Sequence, residues 1–146
     1  MYTLDIPQKT EYAVLLKVWE SSVMATHHFL QKNDIHVFKK MILEKEIFSQ
    51  VNITYARDSS NNILGFMGVA EDNLEMLFID PDHIGKGIGK LLLLDAINRF
   101  NITKVDVNEQ NEQALKFYEH FGFKIISRSE LDSTGRPYPI LHMQLQ

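Results

Sequence analysis

Apolar and polar positions along the chain follow two periods, and their alternation lays out the elements. Tyr2-Thr3-Leu4-Asp5-Ile6 alternates and is stopped by Pro7, which predicts a first strand. Tyr12, Leu15, Leu16 and Trp19 then keep a helical repeat. Residues 23–32 read as a connector carrying His27 and His28, and Asp34 is placed to cap a second helix with Ile35, Phe38, Met41 and Ile42 inward. Residues 51–57 and 63–70 predict a hairpin around the turn-forming run Asp58-Ser59-Ser60-Asn61-Asn62. After the turn at 71–73, an apolar strand over 74–79 runs into Asp80-Pro81 and then into Gly85, Gly87 and Gly89. Behind those glycines, Leu93, Ala96, Ile97 and Phe100 share one helical face. A short strand over 104–107 follows. The next helix turns Ala114, Phe117, Tyr118 and Phe121 inward and is closed by Gly122. Residues 124–130 and 140–144 predict a closing hairpin. The order β-α-α-β-β-β-α-β-α-β-β predicts a single α/β domain over residues 1–146 with a mixed sheet.

The stretch over 74–100 organises the rest. Strand, glycine loop and helix together present backbone N–H groups at a helix N-terminus, an arrangement suited to an anion. Glycine tolerates positive φ and lets a ligand approach the main chain. Two familiar phosphate loops do not fit. A Walker loop needs Ser or Thr after its Gly-Lys, and Leu91 follows Lys90. A dinucleotide fingerprint needs G-x-G-x-x-G at the first strand of its unit, whereas Gly85, Gly87 and Gly89 alternate at mid-chain.

Composition narrows the classes without naming one. The 146 residues, 45% of them apolar, suffice for one core, and no run approaches the roughly 20 apolar residues of a membrane span. Met1-Tyr2-Thr3-Leu4-Asp5 has no basic segment before an apolar one, so no signal peptide is expected. The chain has no cysteine, which removes disulfides, thiolate metal sites and an acyl-cysteine intermediate, and agrees with a cytoplasmic location. Its net charge of −4 gives no basic footprint for nucleic acid. Adjacent His27 and His28 chelate poorly and no third ligand is spaced with them, so no metal is expected.

Two motifs resemble the GCN5-related N-acetyltransferases. Ile79-Asp80-Pro81 and Gly87-Ile88-Gly89 match the end of that family's central strand and the core of its Q/R-x-x-G-x-G/A loop, with Ile84 where Arg or Gln is usual. Asn111, Ala114, Phe117-Tyr118 and Gly122-Phe123 match its second signature. Ala25-Thr26-His27, Phe78-Ile79-Asp80-Pro81, the run over 108–114 and Pro137-Tyr138-Pro139 are similar to the bacterial YjaB-type branch. The resemblance implies a sheet splayed between the two strands that flank the central helix. It also implies acetyl-CoA as co-substrate, its pantetheine arm on Leu77, Phe78 and Ile79, and its diphosphate on Gly85, Lys86, Gly87, Ile88, Gly89 and Lys90. The resemblance further implies that Ile84 borders that loop and that Asn111 and Tyr118 contact the cofactor.

Direct attack of a primary amine on the thioester, in a ternary complex, expels a thiolate that Tyr118 is placed to protonate. Glu75 is the leading general base, with His27, His28 and His142 as alternatives. His27, Phe29, Arg136 and Tyr138 are candidates for an acceptor pocket open to a small-molecule or peptide amine. Neither nucleic acid nor membrane is an expected partner, and the chain is expected to act as a monomer or homodimer. A non-catalytic acyl-CoA sensor is the alternative; Ile84 favours it, and Tyr118 with the intact glycines opposes it.

Overall fold

A computed structural model describes residues 1–146. The strands are β1 (Thr3–Asp5), β2 (Asn52–Arg57), β3 (Ile63–Ala70), β4 (Asn73–Ile79), β5 (Lys104–Asn108), β6 (Phe123–Ser129) and β7 (Ile140–Leu145). The helices are α1 (Tyr12–Thr26), α2 (Lys32–Glu44), α3 (Ile88–Phe100) and α4 (Glu112–His120), in the expected order. The strands form one sheet in the order β1-β2-β3-β4-β5-β7-β6, antiparallel except where β4 meets β5.

Helices cover both faces of the sheet centre, and this explains why β3 reads as an unbroken apolar run. Phe66 packs with Leu15, Trp19, Val23 and Ile35 on the α1–α2 side. Met67 and Val69 pack with Leu92, Leu93, Ala96 and Val105 on the α3 side. Strand β6, at the sheet edge, is exposed along most of its length.

Strands β2, β4, β5, β6 and β7 differ from the sequence reading by one residue at one or both ends, and three further elements differ as well. Strand β1 is a residue shorter at each end. Helix α1 runs on to Thr26, because Ser22 and Val23 are buried in its last turns, and the expected connector over 23–32 shrinks to 27–31. Helix α2 starts at Lys32 behind Gln31, not behind Asp34. Asp34 lies inside the first turn, where a carboxylate suits the helix dipole. Its oxygens reach across the molecule to Arg136 Nε at 3.0 Å and to the Tyr138 hydroxyl.

One irregularity in β4 sets up everything downstream. Val69 pairs with Leu74 and Gly68 with Met76, so Glu75 is an extra residue opposite β3. Such a bulge bends a strand and resets which face each side chain takes. Leu74, Leu77 and Ile79 accordingly pack on the α3 side, and Met76 and Phe78 on the α1 side. At the same point β4 leaves β5. Only Asn73↔Lys104 and Leu74↔Val105 pair, while β5 stays matched to β7 over five residues. The sheet is therefore open along β4 from Glu75 onward.

Candidate active site

The open seam holds a cleft of about 390 Å³. Leu77, Phe78 and Ile79 line one wall and Asn111, Phe117 and Tyr118 the other. An edge of β4 without a strand partner leaves backbone N–H and C=O groups free for an extended ligand with amides of its own. Behind that edge, β3 approaches closely at Gly65. A Cβ there would lie 2.8 Å from Ile79 Cδ1 and 3.0 Å from the Phe78 carbonyl oxygen.

The cleft ends on the head of α3. Gly87 is the N-cap residue at φ 87°, Gly85 sits at φ 83°, and no side chain caps the helix. The first intrahelical bond runs from the Leu91 amide to the Gly87 carbonyl. The amides of Ile88, Gly89 and Lys90 are thus left without helical acceptors. Nothing lies within 4 Å of the Cβ positions of Gly85 and Gly87, so the loop leaves space in front of those amides. At Gly89, Phe117 closes in from α4 at 3.5 Å.

Side chains around the loop divide by position. Ile84 lines the cleft and is 48% exposed. Lys90 also lines it, whereas Lys86 is not among the lining residues and the Ile88 side chain is buried in the core. His83, which the sequence reading passed over, borders the cleft. Its Nδ1 is buried with no hydrogen bond, 3.9 Å from Asp80 Oδ2. Ser22, Thr26 and Gln113 are further lining residues that no spacing announced.

Tyr118 is buried and faces the cleft. Its ring is held edge-on by Phe117 and Phe123, at centroid distances of 5.3 and 5.7 Å. Burial alone, with no hydrogen-bonding partner contributing, pushes its phenol upward, so it stays protonated at neutral pH. Asn111 caps α4, its Oδ1 accepting from the Ala114 amide at 3.2 Å, and borders the cleft as well. Gly122 ends α4 at φ 95°.

The acceptor-side candidates part company. His27 borders the cleft, and burial, reinforced by His28, lowers its imidazole to about 4. Thr26 gives its single hydroxyl proton to the Ser22 carbonyl and sits 2.7 Å from His27 Nδ1. Its oxygen can therefore only accept, which puts the ring proton on Nδ1 and leaves the Nε2 lone pair free. Phe29 stacks between His27 and Tyr138 at 5.3 and 6.1 Å. Tyr138 does not line the cleft. It is buried, donates to Asp34 and accepts from the Gln31 amide, so both hydroxyl functions are committed to holding the α1–α2 corner. Arg136 is likewise occupied, by Asp34 and Thr134. Glu75 is exposed and lines a separate hollow with Asp106, Ser129 and His142, rather than the Tyr118 cleft. His28 is exposed and borders neither.

A strand edge opened beside uncapped amides at a helix head defines a class: enzymes that hold a long, amide-bearing, phosphate-ended acyl carrier in the seam of a sheet. The comparisons with known proteins place the chain within that class. Residues 24–145 match the family described as acetyltransferase (GNAT) domain. The peptidyl-lysine N-acetyltransferase YjaB of Salmonella typhimurium is 36% identical over 129 residues, 88% of each chain. Its Escherichia coli K12 counterpart is also 36% identical, over 88% of this chain and 86% of that one. The solution structure of apo YjaB from Escherichia coli superposes with a TM-score of 0.87 at 33% identity, covering 99% and 97% of the two chains. The PaiA N-acetyltransferase of Thermoplasma acidophilum, solved with coenzyme A, shares the fold at 20% identity, a TM-score of 0.75, and coverage of 100% and 99%. The chain belongs to the GNAT acetyltransferase family, and its reaction is acetyl transfer. No helix is long and apolar enough to cross a membrane.

Proposed function

We propose that this domain, spanning residues 1–146, transfers acetyl from acetyl-CoA to the ε-amine of a lysine side chain in a peptide or protein, by direct attack in a ternary complex. The observation that carries the reading is the seam itself. The two-residue β4–β5 pairing leaves an unpaired strand edge that leads to three unengaged amides at the head of α3. The pantetheine amides pair with the free edge at Leu77 to Ile79, and the diphosphate rests on the amides of Ile88, Gly89 and Lys90. One helix terminus contributes only about 0.3–1 kcal/mol to anion binding. Several direct N–H bonds acting together therefore carry the affinity. Lys90 adds a charge and Ile84 adds none.

Tyr118 is the proton donor to the departing thiolate. Its hydroxyl has no partner in the chain, it stays protonated at neutral pH, and it opens on the cleft beside the β4 edge. The lysine acceptor is supported by the two YjaB relatives, whose names give peptidyl-lysine as their acceptor, at 36% identity over most of the chain.

The test is coenzyme A release from acetyl-CoA across a panel of lysine peptides, free amino acids and polyamines, with mass spectrometry locating the acetyl group. Release that depends on a lysine peptide, with a 42-Da gain on its ε-amine as the chemistry requires (about one acetyl per amine, the stoichiometry of direct acyl transfer), is the expected result. Binding of acetyl-CoA with no release under any acceptor would instead identify a sensor.

A further inference from the structure

We propose that Ser129, His142 and Asp106 form a proton relay that deprotonates the acceptor ammonium on the face of the sheet turned away from α3. This rests on the acetyl-transfer reading above and deepens it. Asp106 and His142 are directly opposed on β5 and β7, with Asp106 Oδ1 2.7 Å from His142 Nδ1. The other ring nitrogen, Nε2, lies 2.7 Å from Ser129 Oγ on β6. Val105, Val107 and Met143 on the same strands pack toward α3 and α4, so alternation sends Asp106 and His142 to the opposite face. A second bulge brings the serine there. Ile125 pairs with Met143 and Ser127 with His142, so Ile126 is the extra residue, and Ser127 and Ser129 come onto the histidine's face.

With a neutral ring, Asp106 sets the polarity of the chain. A carboxylate only accepts, so the ring proton sits on Nδ1 and Nε2 carries the lone pair. Nε2 can then take a hydrogen bond only from the Ser129 hydroxyl, and the serine oxygen keeps lone pairs that an ammonium can use. At neutral pH only about one lysine amine in 10³ is uncharged, given an ordinary value near 10.4. An ammonium N–H proton passes to Ser129 Oγ as the hydroxyl proton passes to His142 Nε2. The imidazolium so formed is held by Asp106. The freed amine lone pair forms the C–N bond at the thioester carbon, the C–S bond breaks, the thiolate takes the Tyr118 proton, and the second proton on the new amide nitrogen leaves to water. Water later removes the proton from His142 and restores that of Tyr118.

Position supports the role. Leu74↔Val105 is the last pair before the strands part, and the next residues, Glu75 and Asp106, line one hollow with Ser129 and His142. The hollow thus begins at the base of the seam through which the thioester is presented. The other charged groups facing it are Glu75 from β4 and Asp132 from the β6–β7 loop, both suited to an incoming cation. Asp132 Oδ1 already accepts from the Thr134 and Arg136 amides and shapes that loop. The Asp106 and His142 side chains are 50% and 34% exposed, where an ion pair adds little to stability. Fold stability therefore gives little reason for a three-residue chain whose ring orientation Asp106 sets. Ser129 is the group that touches substrate, His142 receives the proton, and Asp106 positions the ring.

The experiment compares the wild type with His142→Gln and Ser129→Ala. It follows coenzyme A release with a lysine peptide across pH, acetyl-CoA affinity by calorimetry, and the His142 ring nitrogens by NMR on adding peptide. Both variants are expected to lose about 10²-fold in kcat, a typical share for a positioned acid or base, with acetyl-CoA affinity unchanged. The rising acid limb of the wild-type profile should give way to a rate that climbs with free amine alone. Wild-type kcat with its limb intact in either variant overturns the relay while leaving acetyl transfer standing. If His142→Gln does not fold, Ser129→Ala decides, since it removes one oxygen. If the wild type acetylates no lysine peptide, the acceptor reading above fails and the ring signals decide the relay. Peptide-dependent shifts that vanish in Ser129→Ala uphold the amine seat, and their absence in the wild type overturns it.

Discussion

The two ends of the seam between β4 and β5 are made of different material. At the head of α3 the site is almost all backbone: three amides without acceptors, two glycines at positive φ, and one lysine at the rim. Across the sheet, the hollow around Asp106, His142 and Ser129 is made of side chains from β4, β5, β6 and β7. A diphosphate suits the first kind of site, because amides fixed by helix geometry need no reorganisation and no desolvated cation. An amine that must lose a proton suits the second, because backbone groups cannot take one up. In the mechanism proposed here, the same opening of a sheet serves binding on one side and acid–base chemistry on the other.

The largest effect expected to sharpen this comparison is at Tyr118, where a side chain intrudes on the backbone-built end. Tyr118→Phe removes one hydroxyl and keeps the ring between Phe117 and Phe123. Turnover should fall by about 10²–10⁴-fold, while acetyl-CoA affinity by calorimetry stays within about a factor of five, since one free hydroxyl is worth roughly 1 kcal/mol at most in ground-state binding. Full activity in this variant would remove the phenol from the chemistry. Equal losses in affinity and turnover would make it a binding residue only.

This division also governs what could be read from the sequence. A site made of backbone must write its glycines at fixed spacing, so Gly85, Gly87 and Gly89 point to the α3 head from the sequence alone. Asn111 and Tyr118 came with the second motif for the same reason: one helix sets their separation. The hollow shows itself only in part: Glu75 and His142 stand out as separate candidate bases, but their grouping with Asp106 and Ser129 does not, because the four come from four strands and meet only through two bulges. Each bulge adds one residue and leaves no mark in a period-two pattern. Tyr138 misled for a related reason. An aromatic in a Pro-flanked loop reads as a pocket wall, but its hydroxyl partner, Asp34, is 104 residues away and looked like a helix cap. The element order survived because each apolar stripe is local, whereas the ends of α1 and α2 depended on tertiary burial.

The next effect concerns His27, which borders the cleft. Burial favours its neutral form in the folded chain, lowering it to about 4 from an ordinary 6.5. Above pH 6.5 the ring is neutral whether the chain is folded or not, and its contribution is complete. As pH falls, the unfolded chain takes up a proton that the folded chain refuses until about pH 4, so stability drains away across that window. The loss should reach ~3 kcal/mol by pH 4, read as the difference in urea unfolding between wild type and His27→Gln. Asp34 and Glu109 are held low by the Tyr138 hydroxyl and by Arg128 respectively. Their contributions are lost as pH falls through the ordinary carboxylate range and below it, equally in both proteins, so they cancel in the difference between wild type and His27→Gln. Parallel stability curves for the two proteins would show that His27 is hydrated and charged in the folded state.

The smallest effect tests the backbone-built end most directly, by adding the side chain it lacks. Ile84 stands at the glycine loop, 48% exposed on the cleft, where it offers no charge to a diphosphate. Ile84→Arg places a guanidinium there. A hydrogen bond to a charged group contributes about 1.5–3 kcal/mol, and the half-exposed position argues for the lower end. Acetyl-CoA should therefore bind about tenfold tighter, and raising salt should narrow the gap between variant and wild type. Little folding penalty is expected, because the apolar surface given up is already half in water. The sign carries the argument. Tighter binding would show that the amides at the head of α3 hold the diphosphate without help from this position and have room for more. Unchanged affinity would mean that the side chain at 84 looks away from the phosphates, and that His83 or Lys90 supplies the charge the loop uses.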